Sequence, residues 1–306
     1  MSRTTQRTSN SASPRLQQNW DWRAAANFIA GGAGGGLLLC ASLVSSDPWT
    51  ARAVILLGLM LIGAGLTCVW FEIGRPLRAL NVYRHFASSW MTREAVVAAL
   101  LFPLGGLSIL TGRPAIIALT SLLGAVFVYC QANMLSANKG IPAWRHPRAV
   151  RLVVTTGLAE GAGLLLCIVA FAGPPAGHWP LMVFLAAIAM RAWSWKSYLA
   201  GLTRSGAPDG ALRVLHGLDR KFLLAAHLLP ALAVAAALAN APLQPALVFF
   251  GGALAVAGGW LFKFDFVRRA AFTQGLALHH LPVRGQGEPG PAVKPGWSTA
   301  GGANAG

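Results

Sequence analysis

The chain has 306 residues, 55% of them hydrophobic and only 11% charged. A soluble domain carries about 25% charged residues, so this chain lacks the polar surface to face water all round, and lipid must cover much of it. Its net charge of +16 does not point to nucleic acid, because the basic residues sit in short loops between long apolar runs and form no groove for phosphates.

The N-terminus is polar and basic as far as Trp22. It has no short apolar core with a cleavage site and no twin-arginine pair, so the first apolar run, from Ala24, is expected to be retained. A helix needs about 20 apolar residues to cross the hydrocarbon. On that scale the sequence predicts an all-α integral membrane protein with eight spans, at 24–44, 51–71, 94–111, 114–136, 152–172, 180–200, 221–239 and 244–263. The expected organisation is a tail over 1–23, a membrane domain over 24–265 and a disordered tail over 266–306, the last rich in Gly and Pro. Small-residue clusters such as Gly31 to Gly36 and Gly251, Gly252, Gly258 and Gly259 suit close helix packing.

Of the 25 Lys and Arg, 23 fall on the side of the termini and the second, fourth and sixth loops, while Arg52 and Arg113 fall on the other. By the positive-inside rule both termini are cytoplasmic, in a bacterial inner membrane. A duplication is also suggested: Gly36-Leu37-Leu38-Leu39-Cys40 recurs as Gly163-Leu164-Leu165-Leu166-Cys167, and the same offset of 127 carries spans 2, 3 and 4 onto spans 6, 7 and 8. Four spans preserve orientation, so the two repeats, 24–136 and 152–263, would be parallel.

Ionisable groups inside spans are costly and usually functional, and this chain has only nine acids. Glu72 ends the second span, Glu94 opens the third and Glu160 lies within the fifth; His227, Arg191 and Lys196 lie at a similar cytoplasmic-side depth. Reducing a quinone takes two electrons and two protons, so its ring needs an apolar slot with donors on its carbonyls and a carboxylate or imidazole to relay protons. These residues meet that description. Structural roles stand beside it: Glu72 and Glu94 flank a loop with Arg75, Arg78, Arg84 and Arg93 and could form interfacial ion pairs. Glu160 could pair with Arg191 or Lys196, and His227 could bond a neighbouring helix. Trp70, Trp90, Trp144, Trp193 and Trp195 read mostly as an interfacial aromatic belt. A transporter is the reading from another class, since membrane acids within an internal repeat suit it too.

No metal is expected on this chain. Cys40, Cys68, Cys130 and Cys167 each lie in an apolar run and form no CxxC pair, which disfavours zinc or an iron–sulfur cluster and suits apolar packing. A membrane haem wants two axial ligands on facing helices, and only His227 is clearly inside a span.

The segment Phe71-Glu72-Ile73-Gly74-Arg75-Pro76-Leu77-Arg78-Ala79-Leu80-Asn81, followed by Ser89-Trp90-Met91-Thr92-Arg93-Glu94, resembles the signature of the membrane-anchor subunit of the dimethyl sulfoxide reductase family. The layout of spans is similar over roughly 20–265. The resemblance implies a complex in which a molybdopterin subunit does the substrate chemistry, a ferredoxin-like iron–sulfur subunit relays electrons and the anchor holds quinone. Glu94 falls on the family's quinol-site glutamate. Glu72 stands where the dimethyl sulfoxide reductase anchor has a histidine, a departure in the proton path. Arg75, Arg78, Asn81, His85, Trp90 and Arg93 are the positions expected to bind quinone or dock the partner. The dimethyl sulfoxide reductase anchor is generally assigned periplasmic termini, a second departure. Cytoplasmic partners suit the related membrane-bound sulfite dehydrogenase, whose anchor loop this one looks most like. A phenylacetyl-CoA oxidoreductase anchor is similar.

Overall fold

The computed structural model describes residues 13–44, 46–72, 89–171 and 178–275. Among them there are helices and one isolated antiparallel bridge, Leu16 to Phe272. In chain order the helices are α1 (Trp22–Leu39), α2 (Pro48–Glu72), α3 (Trp90–Thr111), α4 (Pro114–Ala137), the single turn α5 (Pro142–Arg145), α6 (Ala149–Val169), α7 (His178–Arg204), α8 (Asp209–Leu223), α9 (Leu229–Ala239) and α10 (Gln244–Phe264). A 3-10 turn extends α1 to Val44, and π turns join α8 to α9 and extend α10 to Arg269.

Local chemistry sets the helix ends. Asp21 caps α1 by accepting the Arg23 backbone N–H at 2.7 Å, and Ser89 caps α3 by accepting that of Thr92 at 3.3 Å. Gly112 ends α3 at φ +62°, a left-handed conformation that disfavours other residues, and Pro114 follows at the start of α4, where its missing N–H costs nothing.

Among the described residues, seven segments are long and apolar enough to cross a membrane: Trp22–Val44, Pro48–Glu72, Trp90–Thr111, Pro114–Ala137, Ala149–Val169, Asp209–Ala239 and Gln244–Arg269. Helix α7 has 27 residues, but Arg191, Ser194 and Lys196 interrupt its apolar run. The helix expected at 221–239 starts at Asp209; its first three turns bury Ala211 and Leu215 and expose Arg213, His216 and Arg220. That amphipathic pattern does not read as a span, and by sequence it falls in the loop between the sixth and seventh spans.

Helix α1 lies at the centre, against α2, α4 and α6, and α6 in turn packs against α7 and α10. Helix α3 packs on α4, and α9 on α10. Gly36, Gly157 and Gly161 make the α1–α6 crossing possible: a Cβ on Gly161 would overlap the Gly36 backbone, and one on Gly36 would overlap that of Gly157. At one end of the bundle the chain before α1 meets the chain after α10. Gln17 N–H donates to the Ala271 carbonyl at 2.9 Å and Thr273 N–H to that of Arg15 at 2.7 Å. Trp20 stacks on Trp144 and Phe28, with centroids 4.9 and 5.6 Å apart. The packed body therefore runs beyond 265, with Phe266, Val267, Ala270 and Ala271 all buried.

Two tryptophans expected at the lipid interface are instead core residues. Trp144 donates its indole N–H to the Phe266 carbonyl at 3.0 Å, and Trp195 donates to Asp219 at 2.7 Å. With those polar ends satisfied inside, both rings are buried among Tyr198, Phe222, Phe262 and Phe266. Trp70 and Trp193 do face outward.

Candidate functional site

Glu94 sits on the second turn of α3 and is buried, 4% exposed. The polar groups facing its carboxyl are the side chains of Gln131 on α4 and Asn27 on α1. Gln131 donates its amide N–H to the Asn27 backbone carbonyl at 3.1 Å, so the amide is tied to α1. Two acceptors in this group, Glu94 Oε1 and Asn27 Oδ1, are buried without a hydrogen-bond partner among the described residues. A buried acceptor without a donor costs roughly 1–3 kcal/mol. A carboxyl proton or an incoming hydroxyl would relieve that cost, which is the chemistry a proton-exchanging site needs.

The other expected residues of the first half frame this end of α3. The Arg93 guanidinium lies over the Trp90 ring at 4.3 Å, and Trp90 meets Tyr129 edge-on at 5.7 Å. Glu72 ends α2 at the rim, within electrostatic reach of Asp21 and Arg23, not beside Glu94. Arg23 itself bonds Asp21 and donates to the Phe71 carbonyl at 2.7 Å, tying the start of α1 to the end of α2. Arg75, Arg78, Asn81 and His85 lie outside the described residues.

A second polar cluster lies in the α6–α10 half. Glu160, fully buried on α6, pairs with Lys263 of α10 at 2.5 Å. The sequence had offered Arg191 or Lys196 as its partner. Arg191 contributes only through its charge, and Lys196 is exposed and paired with Asp219 at 2.8 Å. Lys263 is hard to single out in the sequence because it closes the last apolar run, just ahead of the basic Arg268 and Arg269. The signal was present: it stands between Phe262 and Phe264 in an unbroken apolar run.

Arg191 is fully buried and its bonds explain the π turn. Pro230 has no N–H to give the carbonyl four residues back, so the Ala226 carbonyl is free. Arg191 donates to that carbonyl and, at 2.9 Å, to Ala255. Its Nε donates to His227 Nε2 at 3.0 Å, while His227 Nδ1 faces the Phe222 carbonyl at 2.9 Å. His227 is thus the neutral, Nδ1-protonated tautomer, held on both nitrogens. Glu160 and Lys263 tie α6 to α10, while Arg191 ties α7 to α10 and to the π turn that carries His227.

Glycines bring the two clusters near one another. A Cβ on Gly32 of α1 would strike Lys263 Nζ and come within 3.6 Å of Gln131 Oε1, and a Cβ on Gly31 would strike Gln131 Nε2. Among the described residues, no group of three His, Cys, Asp or Glu could hold a metal ion.

Residues 37–219 match the family described as the DMSO reductase anchor subunit (DmsC). The chain is also similar to a sulfite dehydrogenase subunit from Allochromatium vinosum, 30% identical over 160 residues, covering 44% of this chain and 49% of the relative. The chain thus spans about half the length of that relative. With Glu94, Glu160 and Arg191 inside the matched segment and several membrane-length apolar helices around them, the chain belongs to the DMSO reductase anchor subunit family and is a multi-pass membrane anchor.

Proposed function

We propose that this anchor passes electrons between an iron–sulfur subunit and membrane quinone in a molybdopterin oxidoreductase complex, and that the complex oxidises sulfite in the bacterial cytoplasm. The observation that carries the reading is the buried Glu94 carboxyl with an oxygen left unbonded beside Asn27 and Gln131. A quinol hydroxyl supplies the donor that oxygen lacks, and the carboxyl takes or returns the proton. Quinone supplies the two-electron chemistry; Glu94 moves protons, Gln131 and Asn27 orient it, and Trp90 with Arg93 covers the entrance to α3. Arg75, Arg78, Asn81 and His85 are assigned to quinone binding or partner docking. Glu72, Glu160 and His227 are further candidates for proton handling. The molybdopterin and iron–sulfur clusters belong to the partner subunits.

The topology is eight spans with α7 as the sixth. The pairing of residues 15–17 with 271–273 supports an even number of crossings, because it puts the two ends on one side. The basic loops support a cytoplasmic location for that side, in a bacterial inner membrane. Two parallel four-helix repeats are supported by matched packing: α1–α2, α1–α4 and α3–α4 correspond to α6–α7, α6–α10 and α9–α10. Their bounds remain 24–136 and 152–263, within a membrane domain set between residues 24 and 265.

Glu94→Gln tests the function. The complex should assemble with all its subunits, and quinone turnover should fall on the order of 10²-fold, the lower range for loss of a general acid–base. Unchanged turnover would remove Glu94 from the mechanism.

A further inference from the structure

Two arginines at the start of α6 close on one serine of α7. Arg148 donates to the Ser197 carbonyl at 2.6 Å, and Arg151 donates to the Ser197 hydroxyl at 2.7 Å. Both guanidinium groups are thereby gathered around a single residue. Gly201, one turn further along α7, leaves room for this: a Cβ there would come within 3.0 Å of Arg148 Nη1. One turn back along α7, the Arg151 guanidinium lies over the Trp193 ring, 4.0 Å from its centroid. Trp193 itself is 62% exposed.

No acid balances the pair. Among the described residues, neither arginine forms an ion pair. Asp219 of α8 is held by Lys196 and Trp195. Glu160 lies about 13 Å deeper along α6 at 1.5 Å per residue and is engaged by Lys263. Arg151 Nε is buried without an acceptor, so its charge is not met from inside the bundle either. The first turn of α6 holds no acidic residue, although the helix dipole favours negative charge there. Two cations and a helix start thus share one place, and an anion from outside would relieve their repulsion.

The surroundings say which anion fits. Ala149–Val169 is long and apolar enough to cross a membrane, and its only charges are Arg151 and Glu160. Arg148 and Arg151 therefore stand at the end of that apolar run, where hydrocarbon gives way to headgroups. An exposed tryptophan beside them suits the same level. Deeper in, the same two faces turn apolar, with Val154 on α6 partly exposed and Met190 on α7 45% exposed. A phosphate held by the arginines would have its acyl chain over that apolar strip, whereas a free anion would leave the strip unused. Arginine forks match phosphate oxygens, and basic pockets between spanning helices take anionic headgroups.

We infer that Arg148 and Arg151 form a binding site for one anionic phospholipid, with its phosphate at the two guanidinium groups and an acyl chain along Trp193 and Met190. The site stands whether or not quinone binds at Glu94. It is tested on the full-length chain purified in detergent and stripped of lipid, titrated with phosphatidylglycerol or phosphatidylethanolamine and followed by native mass spectrometry and thermal unfolding. Wild type should take up one phosphatidylglycerol in preference to phosphatidylethanolamine and melt higher with it, and an equal concentration of inorganic phosphate should not displace it. R148Q/R151Q should bind phosphatidylglycerol about thirty-fold more weakly, the loss expected for two basic side chains at a membrane surface, while R113Q should behave as wild type. Wild type that binds the two lipids alike, or R148Q/R151Q that keeps full affinity, overturns the site. Displacement by inorganic phosphate would make it a site for the free anion and overturn the lipid assignment. The wild-type comparison of the two lipids decides the matter even if R148Q/R151Q fails to fold.

Discussion

Replacing Lys263 with Met removes one partner of the buried Lys263–Glu160 pair and leaves the Glu160 carboxylate in the α6–α10 seam. Breaking such a pair by deleting one side costs about 3–5 kcal/mol. Two features set the value here. Arg191 still acts on Glu160 through its charge, which offsets part of the loss. Against that, Glu160 Oε1 already lacks a hydrogen-bond partner among the described residues, so the substitution leaves both oxygens unsatisfied. The expected cost is at the lower end, about 3 kcal/mol. In K263M/E160M both charges are gone and similar volumes remain, and such replacements are often neutral. The assay is thermal unfolding of the detergent-purified anchor followed by tryptophan fluorescence, since Trp195 packs on Phe262 next to Lys263. K263M should melt well below wild type, and the double variant should recover most of the difference. If the double variant melts as low as K263M, the loss is one of packing and the unpaired-charge argument is wrong.

Other outcomes follow from the same geometry. Gly161→Val should prevent accumulation of folded anchor, because even a Cβ there overlaps the Gly36 backbone; membrane-inserted yield measures it. Trp195→Phe keeps the aromatic contacts but leaves Asp219 without the indole donor, for a loss of about 1.5–3 kcal/mol, the range for hydrogen bonds to charged groups, readable by the same melting assay. His146, in the loop before α6, accepts the Arg148 N–H at 3.2 Å, and desolvation, then the Arg148 charge, holds its pKa below the usual 6.5. The folded state therefore takes up that proton less readily than the unfolded chain, so stability is full above 6.5 and declines as pH falls below it. His146→Gln should flatten the fall in melting temperature between about pH 7 and 5.

Seven of the expected spans were legible because lipid imposes a simple rule, about 20 apolar residues with few charges, and the one expected at 180–200 is the stretch that Arg191 and Lys196 interrupt. Glu94 and Glu160 were legible for the same reason, as charges where charges are costly. Partners were not legible, since pairing depends on which helix faces which. Glu160 finds Lys263, a hundred residues away, and not the nearer Arg191 or Lys196. Trp144 and Trp195 looked interfacial because a tryptophan's composition signal is the same whether its N–H meets headgroups or a buried carbonyl. Helix α8 hid in a loop because its charged face breaks the apolar run, although its period-3.6 pattern was there to be read. The π turn at His227 has a sequence cause in Pro230, but its use, freeing a carbonyl for Arg191, needed the fold.

The central claim is that quinone meets this chain at Glu94. Photolabelling the purified complex with an azido-quinone, followed by peptide mapping, tests it most directly. Label should fall on α3 near Glu94 and on the facing stretch of α4 around Gln131, should be displaced by excess unlabelled quinone, and should drop in Glu94→Gln. Label absent from this chain, or lying elsewhere on it and unaffected by the substitution, would contradict the account.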